Sequence, residues 1–263
     1  MRKLQIDIRN LTLQFNGKPI LQDVSFQIFE RDYLSIIGPN GAGKTSLLKC
    51  LMRIYPITSG EIFFLGKPLQ EFSQKNLARL ISYVPQSDGR YLPLTVLDFV
   101  LLGRYPHLHP FGSFTKEDLK IARDALEITQ ISHISQRQLS TLSGGERQIA
   151  FIAAALAQGA DILLLDEPTT FLDPRHEQEV YQILKQINKS MGKTIITVTH
   201  DINSAALRSD RVVILKNGTV QYVGSADKIM DNQILARAYD KPFLFTEHPL
   251  TKQRIIVPEA SER

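Results

Sequence analysis

The sequence has few of the features that mark secreted or membrane-spanning proteins. It contains a single cysteine, Cys50, so no disulfide can form within the chain, which is consistent with a reducing compartment. Its longest unbroken apolar run, residues 149–157, has nine residues, well short of the roughly 18 that a membrane-spanning helix needs. No apolar stretch follows the charged start of the chain, so we expect no secretory signal.

Charge of one sign is also scarce. Lys and Arg number 31 against 27 Asp and Glu, giving a formal net charge of +4, and the chain has no block of like charges. So small an excess is typical of a solvated surface and does not by itself indicate nucleic-acid binding, although it permits docking at an anionic membrane face. The 263 residues, 43% of them hydrophobic, suffice for one large core with a secondary lobe or for two closely packed domains.

Hydrophobic patterning predicts an α/β fold with two kinds of strand. Residues 6–15 and 20–28 alternate apolar and polar side chains around a turn, a pattern typical of an antiparallel pair. Segments 33–37, 161–166 and 194–199 are nearly continuous apolar runs, as expected for parallel strands covered on both faces.

Between about 90 and 157 the pattern is helical instead, with Ala122 and Leu126 as examples, and no strand is convincing. We therefore predict a helical lobe inserted into the α/β core.

The clearest motif is a glycine-rich loop between an apolar run and a helical pattern, where residues 38–45 match Gly-x-x-x-x-Gly-Lys-[Ser/Thr]. Backbone N–H groups of such a loop converge on phosphate oxygens at a helix N-terminus. Lys44 is expected to reach the β- and γ-phosphates and Thr45 to ligate Mg²⁺. An ordinary glycine-rich turn does not require a strand before it and a helix after it, so a P-loop NTPase is favoured. The predicted nucleotide-binding residues here are Gly38, Pro39, Asn40, Gly41, Ala42, Gly43, Lys44, Thr45 and Ser46.

Two carboxylates, Asp166 and Glu167, end the second apolar run. Asp166 is placed to hold Mg²⁺ or its water, and Glu167 to orient and deprotonate the water that attacks the γ-phosphate. Taken alone, the pair could be solvated acids at a strand end, but the P-loop upstream favours the catalytic interpretation. His200 ends the third apolar run, and a lone histidine there is more often a surface residue. If the three strands are parallel neighbours, His200 lies beside Glu167 at one sheet edge.

A second phosphate-binding helix start is predicted at residues 142–148. Ser143 and Glu146 have the spacing of a capping box, so a well-capped helix is the simplest interpretation. It leaves Gly144 and Gly145 unexplained, because glycines at a helix start cost stability while they permit close backbone approach to an anion.

With this Leu-Ser-Gly-Gly-Glu segment, the chain resembles the ATP-binding cassette (ABC) ATPases, whose signature is Leu-Ser-Gly-Gly-[Gln/Glu]. Seven elements in one order carry the resemblance. It implies a P-loop NTPase fold of ABC type: a mostly parallel core sheet, an N-terminal antiparallel β subdomain and an inserted helical subdomain at about 90–157. Residues 1–240 would form the nucleotide-binding domain, and 241–263 a C-terminal accessory extension.

The resemblance assigns further roles. Phe15 stands where the family has an aromatic that stacks on adenine, and Gln86 where a glutamine links Mg²⁺ to the partner-contacting loop. Asp173 stands where an aspartate crosses the dimer interface, and His200 falls on the switch histidine. In this family two subunits sandwich two ATP molecules, and the signature helix of one subunit contacts the ATP bound to the P-loop of the other. The resemblance therefore implies a homodimer in which Ser143, Gly144, Gly145 and Glu146 act on the partner's nucleotide. The implied Mg²⁺ ligands are Thr45 and Gln86.

The loop before Asp173 departs from the family pattern at two positions. The family more often has Ser where Thr170 stands and a small residue in place of Phe171.

A transporter subunit is the favoured role within the family, because a single cassette is present and Gln86 and Ser143 are only 57 positions apart, with no heptads between them. The alternative is a soluble ABC ATPase acting on nucleic acid. Transport implies a separate membrane permease, an extracytoplasmic substrate-binding protein, no nucleic acid, and a peripheral position on the cytoplasmic face of the inner membrane.

Residues 103–111 resemble the Gly-Arg-x-Pro-His segment of importers for iron-siderophore, haem and cobalamin. We expect Arg104 and His107 to grip the permease. His107 and His109 have no carboxylate or cysteine beside them, so loop residues are favoured over a metal site.

Overall fold

The structure, a computed structural model, describes residues 2–86, 93–250 and 252–257. The chain forms two compact units: residues 1–71 with 196–263 form the first, and residues 72–195 the second. The first unit is therefore built from both ends of the sequence and the second from its middle.

The described chain contains both strands and α-helices. The strands are β1 (Leu4–Phe15), β2 (Lys18–Phe29), β3 (Tyr33–Ile37), β4 (Ser59–Phe64), β5 (Lys67–Pro68), β6 (Ile81–Val84), β7 (Ile162–Asp166), β8 (Thr194–Val198), β9 (Arg211–Lys216), β10 (Thr219–Ser225), β11 (Leu244–Glu247) and β12 (Arg254–Val257). The α-helices are α1 (Lys44–Leu51), α2 (Gln74–Leu80), α3 (Val96–Leu102), α4 (Lys116–Ile128), α5 (Gly144–Ala157), α6 (Pro174–Lys189), α7 (Ile202–Arg208) and α8 (Asn232–Tyr239).

The antiparallel N-terminal sheet belongs to the first unit, as predicted. Strands β1 and β2 pair around Asn16 and Gly17, both of which have positive φ, the combination that a tight hairpin turn needs. Strand β4 pairs antiparallel with the other edge of β1. Alternate residues such as Leu11 and Leu13 are fully buried, so one face of this sheet packs into the core.

The first unit also holds part of the parallel sheet. Strand β3, which carries the phosphate loop at its end, is buried along its whole length and pairs parallel with β9. Strand β9 continues into β10 by an antiparallel hairpin. The boundary between the units falls within β8, and in the first unit the Thr197 hydroxyl of β8 lies 3.0 Å from the Ser35 hydroxyl of β3. The continuous apolar runs therefore predicted these buried strands.

The second unit combines a parallel strand pair with helices. Strands β6 and β7 run parallel, in register from Ile81 opposite Ile162 to Val84 opposite Leu165. Residues 93–157 hold helices α3, α4 and α5 and no strand beyond one isolated bridge. This confirms the helical character predicted for the inserted lobe, whose first residues, 90–92, lie outside the described part. None of the described helices has both the length and the apolar character needed to cross a bilayer.

A C-terminal hairpin packs within the first unit. Strands β11 and β12 form an antiparallel hairpin, and Phe243, Phe245 and Ile256 lie against the buried cluster that contains Ile37 and Leu235. Strand β12 covers the last four described residues of the chain. The bounds predicted for the domain and its extension stay predictions, and residues 251 and 258–263 of that extension lie outside the described part.

Arg104 does not have the exposure expected of a permease contact. Its side chain is buried, its Nε donates to Asp118 Oδ1 at 3.0 Å, and its Nη1 donates to the Ala157 carbonyl oxygen at 2.9 Å. His107 is also turned toward its own chain, with Nε2 2.8 Å from the Gln158 carbonyl oxygen. Hydrogen bonds from Thr115 and the Arg104 charge lower the pKa of Asp118 to about 2, so this carboxylate is ionised at neutral pH. Arg104 braces α4 against the end of α5.

Arg104→Ala is expected to lower the free energy of unfolding by about 3–5 kcal/mol, because it removes one partner of a buried ion pair. Thermal denaturation of the purified chain measures the effect. Arg123→Ala on the exposed face of α4 is the matched control and should leave Tm unchanged. Lost transport with an unchanged Tm in the Arg104 variant would instead favour a direct partner contact.

Candidate functional site: a phosphate loop, a signature helix and a carboxylate

The phosphate loop lies between β3 and α1 in the first unit, and close backbone contacts fix its shape. A Cβ at Gly38 would lie 2.0 Å from the carbonyl oxygen of Leu215 on β9, too close for any side chain. Gly43, with φ 96°, closes the loop against β2, where a Cβ would meet the Leu21 side chain and the Ile20 carbonyl oxygen. Glycine is required at both ends of the loop for reasons internal to this chain.

Lys44, the first residue of α1, lies inside this loop. Its side chain is buried, and Nζ donates to the carbonyl oxygens of Gly38 at 2.8 Å and Pro39 at 3.0 Å. Thr45 and Ser46 follow, half-buried, on the first turn of the helix. The loop thus gathers an ammonium group, two hydroxyls and a helix N-terminus, a combination suited to a polyphosphate. The remaining predicted residues Asn40, Gly41 and Ala42 form the turn itself.

Phe15 lies at the end of β1, and the residue is 40% exposed. Its ring meets that of Tyr55 edge to face, with centroids 4.8 Å apart and an interplanar angle of 86°. Tyr55 holds Phe15 from one side. The exposed part of the Phe15 side chain is accessible for the predicted stacking on adenine.

Glu167, in the second unit, is the centre of a small hydrogen-bonded group. It follows β7 directly, with φ 51°, a left-handed conformation unusual for glutamate and more frequent at functional sites. Its Oε2 accepts from Gln86 Nε2 at 3.2 Å and from the Thr170 hydroxyl at 3.0 Å. The adjacent Asp166 is buried and accepts from the Tyr83 hydroxyl at 3.2 Å. The structure therefore brings together the predicted residues Gln86, Asp166 and Glu167. It also adds two hydroxyl donors to these carboxylates, Thr170 and Tyr83, which sequence patterns did not identify.

The signature segment begins α5 with the capping box that its spacing predicts. The Ser143 side chain accepts from the Glu146 N–H at 3.2 Å, and Glu146 Oε2 accepts from the Ser143 N–H at 2.8 Å. Arg137 Nη1 lies 3.0 Å from Glu146 Oε1. Burial raises the pKa of Glu146, but the Ser143 hydrogen bonds and the Arg137 charge outweigh it, so this pKa is lowered overall. Both oxygens of the Glu146 carboxylate thus have partners within the chain, Arg137 for Oε1 and the Ser143 N–H for Oε2.

The two signature glycines have different neighbours. A Cβ at Gly145 would lie 2.2 Å from ring carbons of His176, whereas a Cβ at Gly144 would meet nothing within 4 Å. Gly145 is therefore explained by packing within the chain. Gly144 faces open space, as an anion-binding position requires.

Asp173 caps helix α6 and contacts the same His176 that packs beside Gly145. Its Oδ1 accepts from the N–H groups of Arg175 and His176, which caps α6, and its Oδ2 lies 2.6 Å from His176 Nδ1. Hydrogen bonds from the His176 backbone and ring hold the pKa of Asp173 below its ordinary value. The only feature of the sequence that points to His176 is its position three residues after Asp173, the N-cap of α6.

His200 lies on the exposed connection between β8 and α7, in the first unit. The flanking Thr199 N–H donates to the Ile36 carbonyl oxygen at 3.2 Å. His200 therefore comes directly after Thr199, whose backbone hydrogen bond continues the contact between β8 and β3.

The middle of the sequence, residues 21–170, matches the ABC transporter family model. The chain belongs to the ABC transporter family. This ABC ATPase is 37% identical to the iron(3+)-hydroxamate import ATP-binding protein FhuC of Bacillus subtilis (strain 168), with 95% of this chain and 93% of the relative covered. It is 34% identical to the hemin import ATP-binding protein HmuV of Streptomyces coelicolor (strain ATCC BAA-471 / A3(2) / M145), covering 95% and 89%.

The dimeric structure of the bacterial ABC transporter cassette MJ0796 matches this ABC ATPase with a TM-score of 0.72 at 29% identity, covering 84% of this chain and 98% of that one. The predicted family and P-loop fold are confirmed.

Gly145→Ala should destabilise this ABC ATPase by about 1–3 kcal/mol, since the new methyl group requires the His176 ring to move. Gly144→Ala is the matched control and should leave Tm unchanged or slightly raised. Adding His176→Ala to Gly145→Ala should restore part of the lost Tm. Equal Tm values for the two single variants would contradict the packing explanation.

Proposed function

We propose that this ABC ATPase binds and hydrolyses ATP to power a membrane importer whose cargo is an iron chelate or haem; cobalamin is the third cargo that the segment at 103–111 allows. The hydrogen-bonded carboxylate of Glu167 carries the catalytic part of the proposal. The import part is supported by relatives named for iron(3+)-hydroxamate and hemin import, each aligned over most of its length.

In this proposal the first unit binds the nucleotide. Lys44 donates to the β- and γ-phosphates, the backbone N–H groups of the phosphate loop surround them, and Phe15 stacks on adenine. The Lys44 ammonium already lies within the loop, where it donates to the carbonyl oxygens of Gly38 and Pro39.

Thr45 and Gln86 would hold Mg²⁺, with Asp166 holding the ion or its water. The hydroxyl of Thr45, the carboxamide of Gln86 and the carboxylate of Asp166 all offer oxygen ligands of the kind that Mg²⁺ prefers, so the residues present fit the ion. When bound, Mg²⁺ neutralises charge on the β- and γ-phosphates. Gln86 orients its side chain by donating from Nε2 to Glu167.

Hydrolysis is assigned to Glu167 as general base and to His200 as a γ-phosphate contact. Gln86 and Thr170 fix one oxygen of the Glu167 carboxylate, which positions the group to accept a proton from the attacking water. Two copies of the chain would sandwich two ATP molecules, each bound also by Ser143, Gly144 and Gly145 of the other copy. The open space at Gly144 and the exposure of Asp173 support such a dimer.

Glu167→Gln should lower turnover at least about a hundredfold while ATP binding persists, because the site keeps its shape and loses its base. We expect ATP to trap this variant as a dimer on size-exclusion chromatography. Glu127→Gln, an exposed residue of α4, is the matched control. Undiminished turnover would remove Glu167 from the role of base.

The permease would dock on a groove of the second unit. This groove, about 580 Å³ in volume, is lined mostly by apolar side chains, among them Tyr105, Leu108 and Phe111. Arg79 Nε donates to the Pro106 carbonyl oxygen at 3.0 Å, and Lys75 donates to that of Leu108, so α2 holds the loop in place. Exposed aromatic rings in such a setting are typical anchors for a protein partner.

This docking would hold the protein at the cytoplasmic face of the inner membrane, with a substrate-binding protein on the other side. Tyr105 and Phe111 would contact the permease through their exposed rings. Arg104 and His107 would not, because both side chains bond within their own chain.

Tyr105→Ala combined with Phe111→Ala should lower cargo uptake and membrane co-sedimentation at least about tenfold, because both aromatic anchors are removed. ATP binding and Tm should not change, because both rings are exposed. Leu65→Ala, an exposed apolar residue of the first unit, is the control. A cytosolic protein whose ATPase is stimulated by DNA or RNA would overturn the import assignment and leave the nucleotide site as described.

A further inference from the structure

The C-terminal hairpin is fastened to the helix that follows His200. The Asn203 Nδ2 donates to the Ile256 carbonyl oxygen at 3.1 Å, and the Asn203 Oδ1 accepts from the Ile256 N–H at 2.8 Å. Ile256 stands opposite Phe245 in the hairpin, yet both of its backbone groups turn to Asn203. The carboxamide therefore takes the place of a neighbouring strand and satisfies both groups at once.

Apolar contacts reinforce this polar attachment. Ile202, beside Asn203 on the first turn of α7, packs with Phe245 and Ile256 against the buried cluster that includes Ala205. The hairpin thus holds the first turn of α7 through one side chain's hydrogen bonds and through its own apolar face.

The connection that carries His200 is held at both ends. Before it, the Thr199 N–H donates to the Ile36 carbonyl oxygen of β3. After it, the Asp201 N–H donates to the Thr199 hydroxyl at 3.1 Å, and the Asp201 carboxylate accepts from the Ser204 N–H at 3.0 Å and the Ser204 hydroxyl at 2.6 Å. His200 is therefore fixed between β3 and the first turn of α7, and only the second of these depends on the hairpin.

We propose that Asn203 is a positioning residue for ATP hydrolysis, through which the C-terminal hairpin sets the orientation of His200. This inference rests on the catalytic role proposed above for His200. Two residues separate Asn203 from His200, so a shift of the first turn of α7 displaces the histidine. A displacement of about 1 Å is enough to cost up to about a hundredfold in rate. The hairpin then belongs to the hydrolytic machinery of the first unit.

Asn203→Ala in the full chain should lower kcat about tenfold while the KM for ATP and the Kd of a fluorescent ATP analogue stay unchanged. Asn232→Ala is the matched control. It removes another asparagine contact to the same segment, Asn232 Oδ1 with the Phe243 N–H at 2.9 Å, at a site remote in sequence from His200. A similar loss of Tm with full turnover is expected for Asn232→Ala. Equal losses of kcat in both variants would reduce Asn203 to a structural role.

Ile256→Pro reaches the same contact from the hairpin side, since proline removes the N–H that Asn203 accepts and that the strand pairing does not use. We expect the same fall in kcat. This variant keeps the proposal testable if Asn203→Ala does not fold.

A double-mutant cycle with His200→Ala separates this inference from the function on which it rests. Asn203→Ala should cost nothing further in the His200→Ala background, measured as residual turnover with radiolabelled ATP. An equal fold-loss in both backgrounds, or no loss in either, overturns the positioning role. Full turnover in His200→Ala alone would instead overturn the catalytic role of His200.

Discussion

The first unit depends on how closely backbone can approach backbone around the phosphate loop. A Cβ at Gly38 would lie 2.0 Å from the Leu215 carbonyl oxygen of β9. A Cβ at Gly43 would lie 2.9 Å from the Ile20 carbonyl oxygen of β2. Gly218, just after β9, is under the same constraint from Ile20. The loop thus lies where two sheets of this unit meet, and its shape is imposed by strands whose own pairing is fixed by burial. A rigid scaffold around a glycine-rich loop keeps its N–H groups oriented toward phosphate before any ligand arrives.

In the second unit, neighbouring side chains orient the carboxylate that we propose as the general base. The Glu167 carboxylate is oriented by the Thr170 hydroxyl, at a position where the family more often has serine, which offers the same donor. This departure from the family pattern therefore preserves the chemistry. Phe171, the other departure, is exposed and has positive φ, so its ring is not needed to hold the loop.

Sequence patterns predicted well whatever depends on neighbours along the chain. The apolar runs fixed β3, β7 and β8 to within one residue, and the Ser143–Glu146 spacing predicted a capping box that is present. Contacts between distant residues left no such pattern. Arg104 looked like a surface residue of a docking motif, because nothing near it in the chain reveals that Asp118 and Ala157 surround its guanidinium. Asn203 and Ile256 are likewise separated by 53 positions, so the attachment of the hairpin could come only from the fold.

The signature glycines show how one motif serves two constraints. Both were predicted to permit approach of an anion, yet Gly145 is small because His176 occupies the space beside it, and Gly144 alone faces open space. His176 also contacts Asp173, the residue assigned to the dimer interface. The His176 ring that packs beside Gly145 of the signature helix is thus also hydrogen-bonded to the loop that carries Asp173. In the proposed dimer, the interface loop and the signature helix of one subunit would respond together to the partner's nucleotide.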